Sequence, residues 1–289
     1  MKRSVRKKIT KIRSYMAPRK GTKVALAKKL GISRSSLYYK PKKPPADEDD
    51  RTKITAIMEE HPAYGHRRVG IALGWSHKKT NRLMRKFHLK PKLRRGFRLV
   101  KPDDLGRPAT KVENILKLIC PISANIVWAG DFTYFWFRER FWYLATVIDV
   151  RTREILGWHL GNHHTTALIM EAFKDATRRT KTSPTYFHSD QGSEYVSGAY
   201  ESLLAEYGTV PSHSRKGSHW QNGYQESFYN NFKLELGDVR RFVHAGELVE
   251  AISQQIAYYN RRRIHSALKM PPTLFREIQQ QKQLAFASH

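Results

Sequence analysis

Cysteine is almost absent from this chain of 289 residues, which contains only Cys120. A single thiol cannot form a disulfide framework, and a cysteine-based zinc site cannot be built around it. Cys120 follows Leu118 and Ile119, so we expect it to be a small buried hydrophobe. Any chemistry must therefore come from other side chains.

Long apolar runs are absent as well. No stretch approaches the roughly 20 residues that a membrane-spanning helix needs. The N-terminus is rich in lysine and arginine, but it lacks the apolar stretch and small-residue cleavage site of a secretory signal. The hydrophobic content of 40% is enough for one sizeable core with small satellite domains. The sequence thus predicts a soluble protein with no membrane partner.

Acidic residues are scarce, with 25 Asp and Glu against 53 Lys and Arg, a net charge of +28. The excess is concentrated in residues 1–120, which hold 34 basic and 9 acidic residues, whereas residues 121–289 hold 19 and 16. Such a charge indicates a polyanionic partner, bound by the front of the chain. RNA binding of the ribosomal type would explain the charge equally well.

Three of the few acidic residues lie in segments that suit metal-dependent chemistry. Asp131 heads an aromatic, strand-like run, Asp190 ends a second short strand, and Glu226 lies in a predicted helix, 35 residues after Asp190. Mg²⁺ prefers carboxylate oxygens, and a two-metal site draws them from separate elements that converge on one point. Any one of these residues could be a solvated surface charge, but the three contexts together favour a phosphodiester-cutting site.

The segments around these residues resemble the DDE transposases and retroviral-type integrases, and most closely the OrfB-type transposases of bacterial insertion sequences. The resemblance covers roughly residues 50–280. Gly223 stands where the family often has Ala, and Ile264 where it often has Pro. The matching segments are residues 131–134 (Asp-Phe-Thr-Tyr), 188–195 (His-Ser-Asp-Gln-Gly-Ser-Glu-Tyr), 214–223 (Ser-Arg-Lys-Gly-Ser-His-Trp-Gln-Asn-Gly), 226–228 (Glu-Ser-Phe), 233–235 (Lys-Leu-Glu) and 259–268 (Tyr-Asn-Arg-Arg-Arg-Ile-His-Ser-Ala-Leu).

This resemblance implies an enzyme that cuts and joins DNA strands, with Asp131, Asp190 and Glu226 as catalytic metal ligands. It implies two Mg²⁺ ions, for which Mn²⁺ is expected to substitute. The implied partners are double-stranded DNA, as the element's terminal inverted repeats and the target, and a second copy of the chain in a homodimer or higher oligomer. The expected location is the bacterial cytoplasm, in association with the nucleoid.

The implied fold class is α/β, an RNase H-like core with a mixed five-stranded sheet and helices, preceded by all-α helix-turn-helix domains. The residue pattern agrees. It predicts strands at 127–137, 141–149, 154–160, 186–188 and around Val210, a hairpin at 138–140, and helices at 165–180 and 197–206. Thr165 and Thr273 are expected to cap helices, and another helix is expected over 246–259.

Five regions follow from this pattern. A basic helix-turn-helix domain is predicted at 1–45, although any two-helix hairpin would fit the same residues. A second helical DNA-binding domain is predicted at 46–95, a basic linker at 96–120, the catalytic core at 121–240 and a helical extension at 241–289. Pro41, Pro44, Pro45 and the acidic run 47–50 are interpreted as a loop between the first two regions. Met1 ahead of its own helix-turn-helix suggests a self-sufficient protein.

Lys233 lies two helical turns after Glu226, so both residues project from one helix face. The resemblance favours a contact between Lys233 and a DNA phosphate over a merely solvated lysine. His188 could support Asp190 or simply be packed, and Glu194 is a weaker alternative ligand. Further DNA contacts are predicted for Arg34, Lys78, Lys79, Arg82, Arg94, Arg95, Arg98, Arg215, Lys216 and His219.

Two other functions remain possible from the sequence: a DNA-binding regulator with a degenerate core, and an RNase H-like nuclease acting on RNA or recombination intermediates. The intact acidic trio argues against the first, and the helix-turn-helix segments are unnecessary for the second.

Overall fold

The computed structural model describes residues 27–28, 31, 44–92, 112, 114–117, 121, 123–214 and 223–287. The chain divides into two compact units, Met1–Thr52 and Lys53–His289. The first predicted helix-turn-helix lies almost wholly outside the described residues, as does most of the predicted basic linker. Among the described residues, no helix is long and apolar enough to cross a membrane.

The second unit is built around a five-stranded sheet with the order β3-β2-β1-β4-β5. The strands are β1 (Val127–Phe137), β2 (Arg140–Asp149), β3 (Ile155–Gly161), β4 (Tyr186–Ser189) and β5 (Val210–His213). The first three strands pair antiparallel, and β1-β4-β5 pair parallel. This mixed sheet confirms the predicted RNase H-like fold, and the predicted strand positions are correct to within a residue or two.

The turn between β1 and β2 is as tight as predicted. Arg138 and Glu139 both have left-handed backbone angles, with φ of 47° and 57°. Two left-handed residues in a two-residue loop match the right-handed twist of paired strands. The hairpin thereby fixes the register in which Asp131 lies opposite Thr146.

Helices cover both faces of the sheet because buried residues alternate along its strands. On one face, Trp128 and Ala145 pack with α4 (Thr166–Thr180) and α5 (Gly198–Glu206). On the other face, Ala129 and Leu144 pack with α6 (Gly223–Leu236) and α7 (Ala245–Arg261). Thr165 precedes α4 as predicted, but its side chain makes no capping hydrogen bond. Ser197, which is not among the predicted caps, accepts a hydrogen bond from Tyr200 N at 3.4 Å at the start of α5.

Sheet and helix approach each other closely at Gly157 in β3. A Cβ atom there would come within 2.3 Å of the Ala176 backbone nitrogen and 2.5 Å of the Ala172 carbonyl oxygen. Since backbone atoms cannot move aside cheaply, only glycine lets α4 pack this closely on the sheet.

The stretch from Pro44 to Asp50, interpreted as a loop, is the start of helix α1 (Pro44–Glu60). Prolines are tolerated in a first helical turn because the amide hydrogen that they lack would have no intrahelical partner there. The loop interpretation was therefore wrong for these residues.

Two further helices follow, α2 (His66–Ala72) and α3 (His77–Lys86), and Ser76 caps α3 by accepting from Lys79 N at 3.3 Å. Their apolar side chains, among them Tyr64, Val69 and Leu83, form a small core that also touches Ile264. Tyr64 Oη accepts a hydrogen bond from Ile264 N at 2.5 Å. Residues 53–92 thus belong to the same compact unit as the sheet.

The last helix, α8 (Pro272–Ala287), begins one residue before Thr273. Thr273 is therefore inside the first turn and does not cap it as expected. Its hydroxyl donates instead to Glu154 Oε1 at 3.1 Å, tying the C-terminal helix to the turn before β3. The partner lies 119 positions away in sequence, so no local pattern could have indicated it.

Candidate active site

Asp131 lies in the middle of β1, directly after a glycine that the packing requires. A Cβ atom on Gly130 would approach the Phe187 ring to 2.4 Å. The Asp131 carboxylate Oδ1 accepts a hydrogen bond from Phe132 N at 2.8 Å. Its backbone oxygen accepts one from Tyr229 Oη of α6 at 2.6 Å. Asp131 is therefore held between the sheet and the helix that carries Glu226.

Asp190 directly follows β4, which pairs with β1 up to the Ala129–His188 position. Asp131 and Asp190 each lie two residues past that last paired position, so the two carboxylates leave neighbouring strands at the same edge. Asp190 Oδ1 accepts from Gly192 N at 3.0 Å. A Cβ atom on Gly192 would lie 3.1 Å from Asp190 Oδ1 and 3.1 Å from Glu194 Oε2, so the glycine leaves room for both carboxylates.

Glu226 is exposed in the first turn of α6, and its neighbour Gln225 fixes that turn to the sheet. Gln225 is fully buried; its Nε2 donates to Ala129 O at 2.7 Å and to Thr146 O at 3.2 Å. Its Oε1 accepts from the Thr146 hydroxyl at 3.0 Å. The sequence signal for this role is a glutamine on the helix face that otherwise buries Phe228, Tyr229, Phe232 and Leu236.

The Asp131 carboxyl interacts electrostatically with those of Asp190 and Glu226. Burial, and then the charge of Asp190, raise the pKa of Asp131 to about 7; the charge of Glu226 acts in the same direction, and the Phe132 amide opposes it. Carboxylates on two other elements therefore act on Asp131. No ion pair to these three residues is formed by any lysine or arginine of the described ranges.

The chemistry of this donor set fits a divalent cation, because hard cations such as Mg²⁺ take carboxylate oxygens. The carboxylate side chains lie further apart than the ligands of a complete metal site. Within the described parts of the chain, no three His, Cys, Asp or Glu side chains are close enough together to hold an ion as they stand. Like charges repel, so the carboxylates of Asp190 and Glu226 make it harder to ionise Asp131.

Lys233 points back toward β1 from the same helix as Glu226. Its Nζ donates to Tyr134 O at 2.9 Å and lies 5.1 Å and 5.2 Å from the ring centroids of Tyr134 and Phe135. The ammonium group is therefore positioned beside the strand that bears Asp131, as its helical spacing indicates. Tyr134 is more than half exposed, so this edge of the site is open to a large ligand.

His188 and Glu194, the two alternative site residues, both have other partners. His188 is fully buried and bonds to Ser212 Oγ through Nδ1 at 3.0 Å; burial, and then His213, lower its pKa to about 4. It is a packed, neutral histidine. Glu194 pairs with His164 Nδ1 at 3.0 Å.

The predicted DNA contacts fall into two groups. On α3, Lys78 and Arg82 are exposed, and Lys79 Nζ lies 3.6 Å from the centroid of the Trp75 ring. The others lie outside the described residues, and these are Arg34, Arg94, Arg95, Arg98, Arg215, Lys216 and His219.

Comparison with known proteins places the chain in a family. Residues 122–219 and 207–272 match two family models, both described as integrase core domain. The chain is 35% identical over 227 residues to the transposase for insertion sequence element IS904 of Lactococcus lactis, covering 75% of this chain and 88% of that protein. It is 31% identical over 253 residues to the putative transposase InsK for insertion sequence element IS150 of Escherichia coli, covering 82% and 87%. A solved chain of the simian T-cell lymphotropic virus intasome, in complex with a PP2A regulatory subunit, is 11% identical with a TM-score of 0.49, covering 78% and 74%.

Proposed function

Because the chain belongs to the DDE transposases of bacterial insertion sequences and is thus a polynucleotidyl transferase, we propose that Asp131, Asp190 and Glu226 are its catalytic metal ligands. The reaction is Mg²⁺-dependent cleavage and joining of DNA strands at the ends of the mobile element. The observation that carries the proposal is geometric: Asp131 and Asp190 each lie two residues past the last paired position of neighbouring strands, and Tyr229 of α6, the helix that bears Glu226, donates to Asp131 O.

Each residue has a distinct task in this site. Asp131, Asp190 and Glu226 would hold a pair of divalent ions through their carboxylate oxygens, and the bound ions would supply Lewis acidity for the reaction at a phosphodiester. Gln225 holds the first turn of α6 against β1 and β2. Lys233, beside β1, orients a DNA phosphate with its ammonium group. No side chain needs to form a covalent bond with DNA.

The basic front of the chain recognises the DNA on which this site acts. The proposal rests on the charge excess of residues 1–120 and on the exposed Lys78 and Arg82 of α3. Neutralising several phosphates releases counterions, which gives tight binding with a steep salt dependence. Residues 1–45 and 46–95 are proposed as the DNA-binding domains, and the protein is proposed to act at the nucleoid as a homodimer or higher oligomer on DNA.

Glu226→Gln tests the assignment directly, because the change keeps size and hydrogen bonding but removes a metal-binding charge. We expect strand cleavage and strand transfer on DNA carrying the element's ends to be lost in Mg²⁺, while binding to those ends survives. Glu250→Gln, at an exposed position on α7, is the matched control and should react like the wild type.

Measurable strand transfer by Glu226→Gln contradicts the assignment. End binding without any wild-type reaction in Mg²⁺ indicates a DNA-binding regulator, and cleavage of RNA hybrids without end recognition indicates a nuclease.

A further inference from the structure

A cavity of about 580 Å³ lies beside α6, on the flank of the helix next to Glu226. Its walls come from segments far apart in sequence: α2, the turn after β2, α6, and the turn after α7. Cavities of this size hold small ligands or parts of larger ones. Its cationic residues are Arg68, Arg153 and Arg263, and its neutral polar residues include His265, Asn231 and Ser227. We call this cavity the arginine pocket.

Among the described residues, one of the three guanidinium groups of the pocket pairs with a carboxylate. Arg263 is 1% exposed and bonds to Glu235 Oε1 at 2.7 Å through Nε and to Asn231 Oδ1 at 2.8 Å through Nη2. In contrast, Nε of Arg68 and both Nε and Nη1 of Arg153 are buried without a hydrogen-bond acceptor. The pocket thus presents buried cationic donors that the described chain does not satisfy.

Burial and the crowding of positive charges in the pocket lower the pKa of two of its residues, Arg68 and His265. Burial, and then the charge of Arg263, lower the pKa of Arg68. Burial lowers the pKa of His265 to about 4, and the charges of Arg153, Arg263 and Arg68 act in the same direction. His265 is therefore neutral near pH 7, and the positive field comes from the arginines. Buried donors of this kind are normally paired, so their retention here points to an acceptor supplied by a ligand.

The position of Arg153 makes the pocket a rigid receptor. Its guanidinium carbon lies 3.8 Å from the centroid of the Tyr224 ring, and Tyr224 is two residues before Glu226 on the same helix. A planar guanidinium held against a ring keeps its N–H groups free to bind phosphate oxygens in pairs. A phosphate bound by Arg153 would therefore be positioned by the helix that carries a catalytic carboxylate.

We propose that the arginine pocket binds a phosphodiester group of the DNA strand that runs past α6, with Arg68 and Arg153 as the donors. The cavity is larger than a phosphate needs, so the adjoining sugar occupies the remainder. This proposal rests on the proposed function, since it takes the ligand to be the DNA processed at Asp131, Asp190 and Glu226. It assigns a role to Arg68 and Arg153, which lie outside the sequence segments that carry the family resemblance.

The first test is thermal unfolding of the full chain with inorganic phosphate as the probe. We expect phosphate to raise Tm for the wild type, because a ligand of the folded state shifts the equilibrium by mass action. The rise should be smaller for Arg68→Gln and Arg153→Gln. Arg67→Gln, the exposed neighbour on α2, is the matched control for loss of one charge and should shift like the wild type.

The Tm of the same variants in the absence of phosphate distinguishes phosphate binding from a purely structural role. Removing one of several crowded cations should leave Tm unchanged or higher. A lower Tm for both pocket variants, together with an unaltered phosphate response, would show that the arginines only support the fold and would overturn the proposal.

The second test measures binding to a duplex carrying the element's end, in an Asp131→Asn background that prevents the reaction. Adding Arg153→Gln should weaken binding roughly tenfold or more. It should also reduce the slope of log K against log salt by about 0.9, the value for one phosphate contact on duplex DNA. Adding Lys282→Gln, which removes an exposed charge on α8 outside the proposed DNA-binding domains, should leave both quantities unchanged.

If the pocket variants lose the Tm shift with phosphate but bind the duplex like their parent, the pocket binds a free anion and the proposed phosphodiester contact is rejected. Failure of the catalytic assignment is recognised separately, because strand transfer by Glu226→Gln would disprove it whatever the binding measurements show.

Discussion

Two aspartates on neighbouring strands of the same sheet show how a buried carboxylate reveals its role. Burial raises the pKa of both Asp131 and Asp149. Asp149, at the end of β2, accepts four hydrogen bonds: from Asn125 N at 2.7 Å, Arg151 N at 2.9 Å, Thr152 N at 2.7 Å and the Thr152 hydroxyl at 3.0 Å. The chain thus satisfies Asp149, which holds the turn between β2 and β3 together.

Asp131 has the opposite surroundings. Among the residues that the structure describes, only the Phe132 amide donates to its carboxylate, and its charged neighbours are Asp190 and Glu226. Burial alone therefore does not distinguish a structural aspartate from a functional one. What distinguishes them is whether the protein itself supplies the compensating donors, as it does for Asp149, or leaves the charge to a ligand.

The largest expected difference is in the pH dependence of stability. The pKa of Asp131 rises from 3.8 in the unfolded chain to about 7 in the folded one. The folded state therefore binds more protons between these values, and the free energy of unfolding should fall as pH rises from about 4 to about 7. Asp131→Asn removes this loss and should be more stable than the wild type at pH 8, by at most about 4 kcal/mol. Urea unfolding in EDTA at pH 5 and pH 8 measures it; equal pH profiles for the two proteins would contradict the account.

Asp149→Asn should have the opposite sign at pH 8. An amide keeps one acceptor oxygen but directs N–H groups at donors that the carboxylate accepted, so the loss of unfolding free energy should be about 2–4 kcal/mol. Asp49→Asn, at an exposed position on α1, is the control and should leave stability unchanged. Strand transfer per folded molecule should survive Asp149→Asn. Loss of strand transfer with full stability would reverse the roles assigned to the two aspartates.

The sequence predicted the parts of the fold that depend on local pattern. The strands, the hairpin and the three carboxylates follow from alternation, turn residues and the family resemblance. Asp190 and Glu226 act on the pKa of Asp131, and the role of the three carboxylates as catalytic metal ligands stays a prediction. The clamp of Gln225 on Ala129 and Thr146 escaped prediction because its partners are 96 and 79 positions away. The arginine pocket escaped for the same reason, since only the folded chain brings its arginines together.

A smaller effect on strand transfer is expected from replacing Lys233, because its proposed role is to bind a DNA phosphate and not a metal ion. Lys233→Ala should slow strand transfer by the equivalent of about 1–3 kcal/mol, as for loss of one charge-assisted hydrogen bond. The fold and end binding should be retained, and Lys233→Arg should recover part of the rate. Lys282→Ala, exposed on α8, is the control. Wild-type rates for both alanine variants would make Lys233 an ordinary helix lysine.

The central claim is that Asp131 lacks a compensating charge because it binds a cation that Asp149 does not need. Calorimetric titration of the full chain with Mg²⁺ tests this most directly, using the wild type, Asp131→Asn, Glu226→Gln and Asp149→Asn. We predict binding by the wild type and by the folded fraction of Asp149→Asn, and its loss in Asp131→Asn and Glu226→Gln. Binding of Mg²⁺ by Asp131→Asn with wild-type affinity would contradict the account.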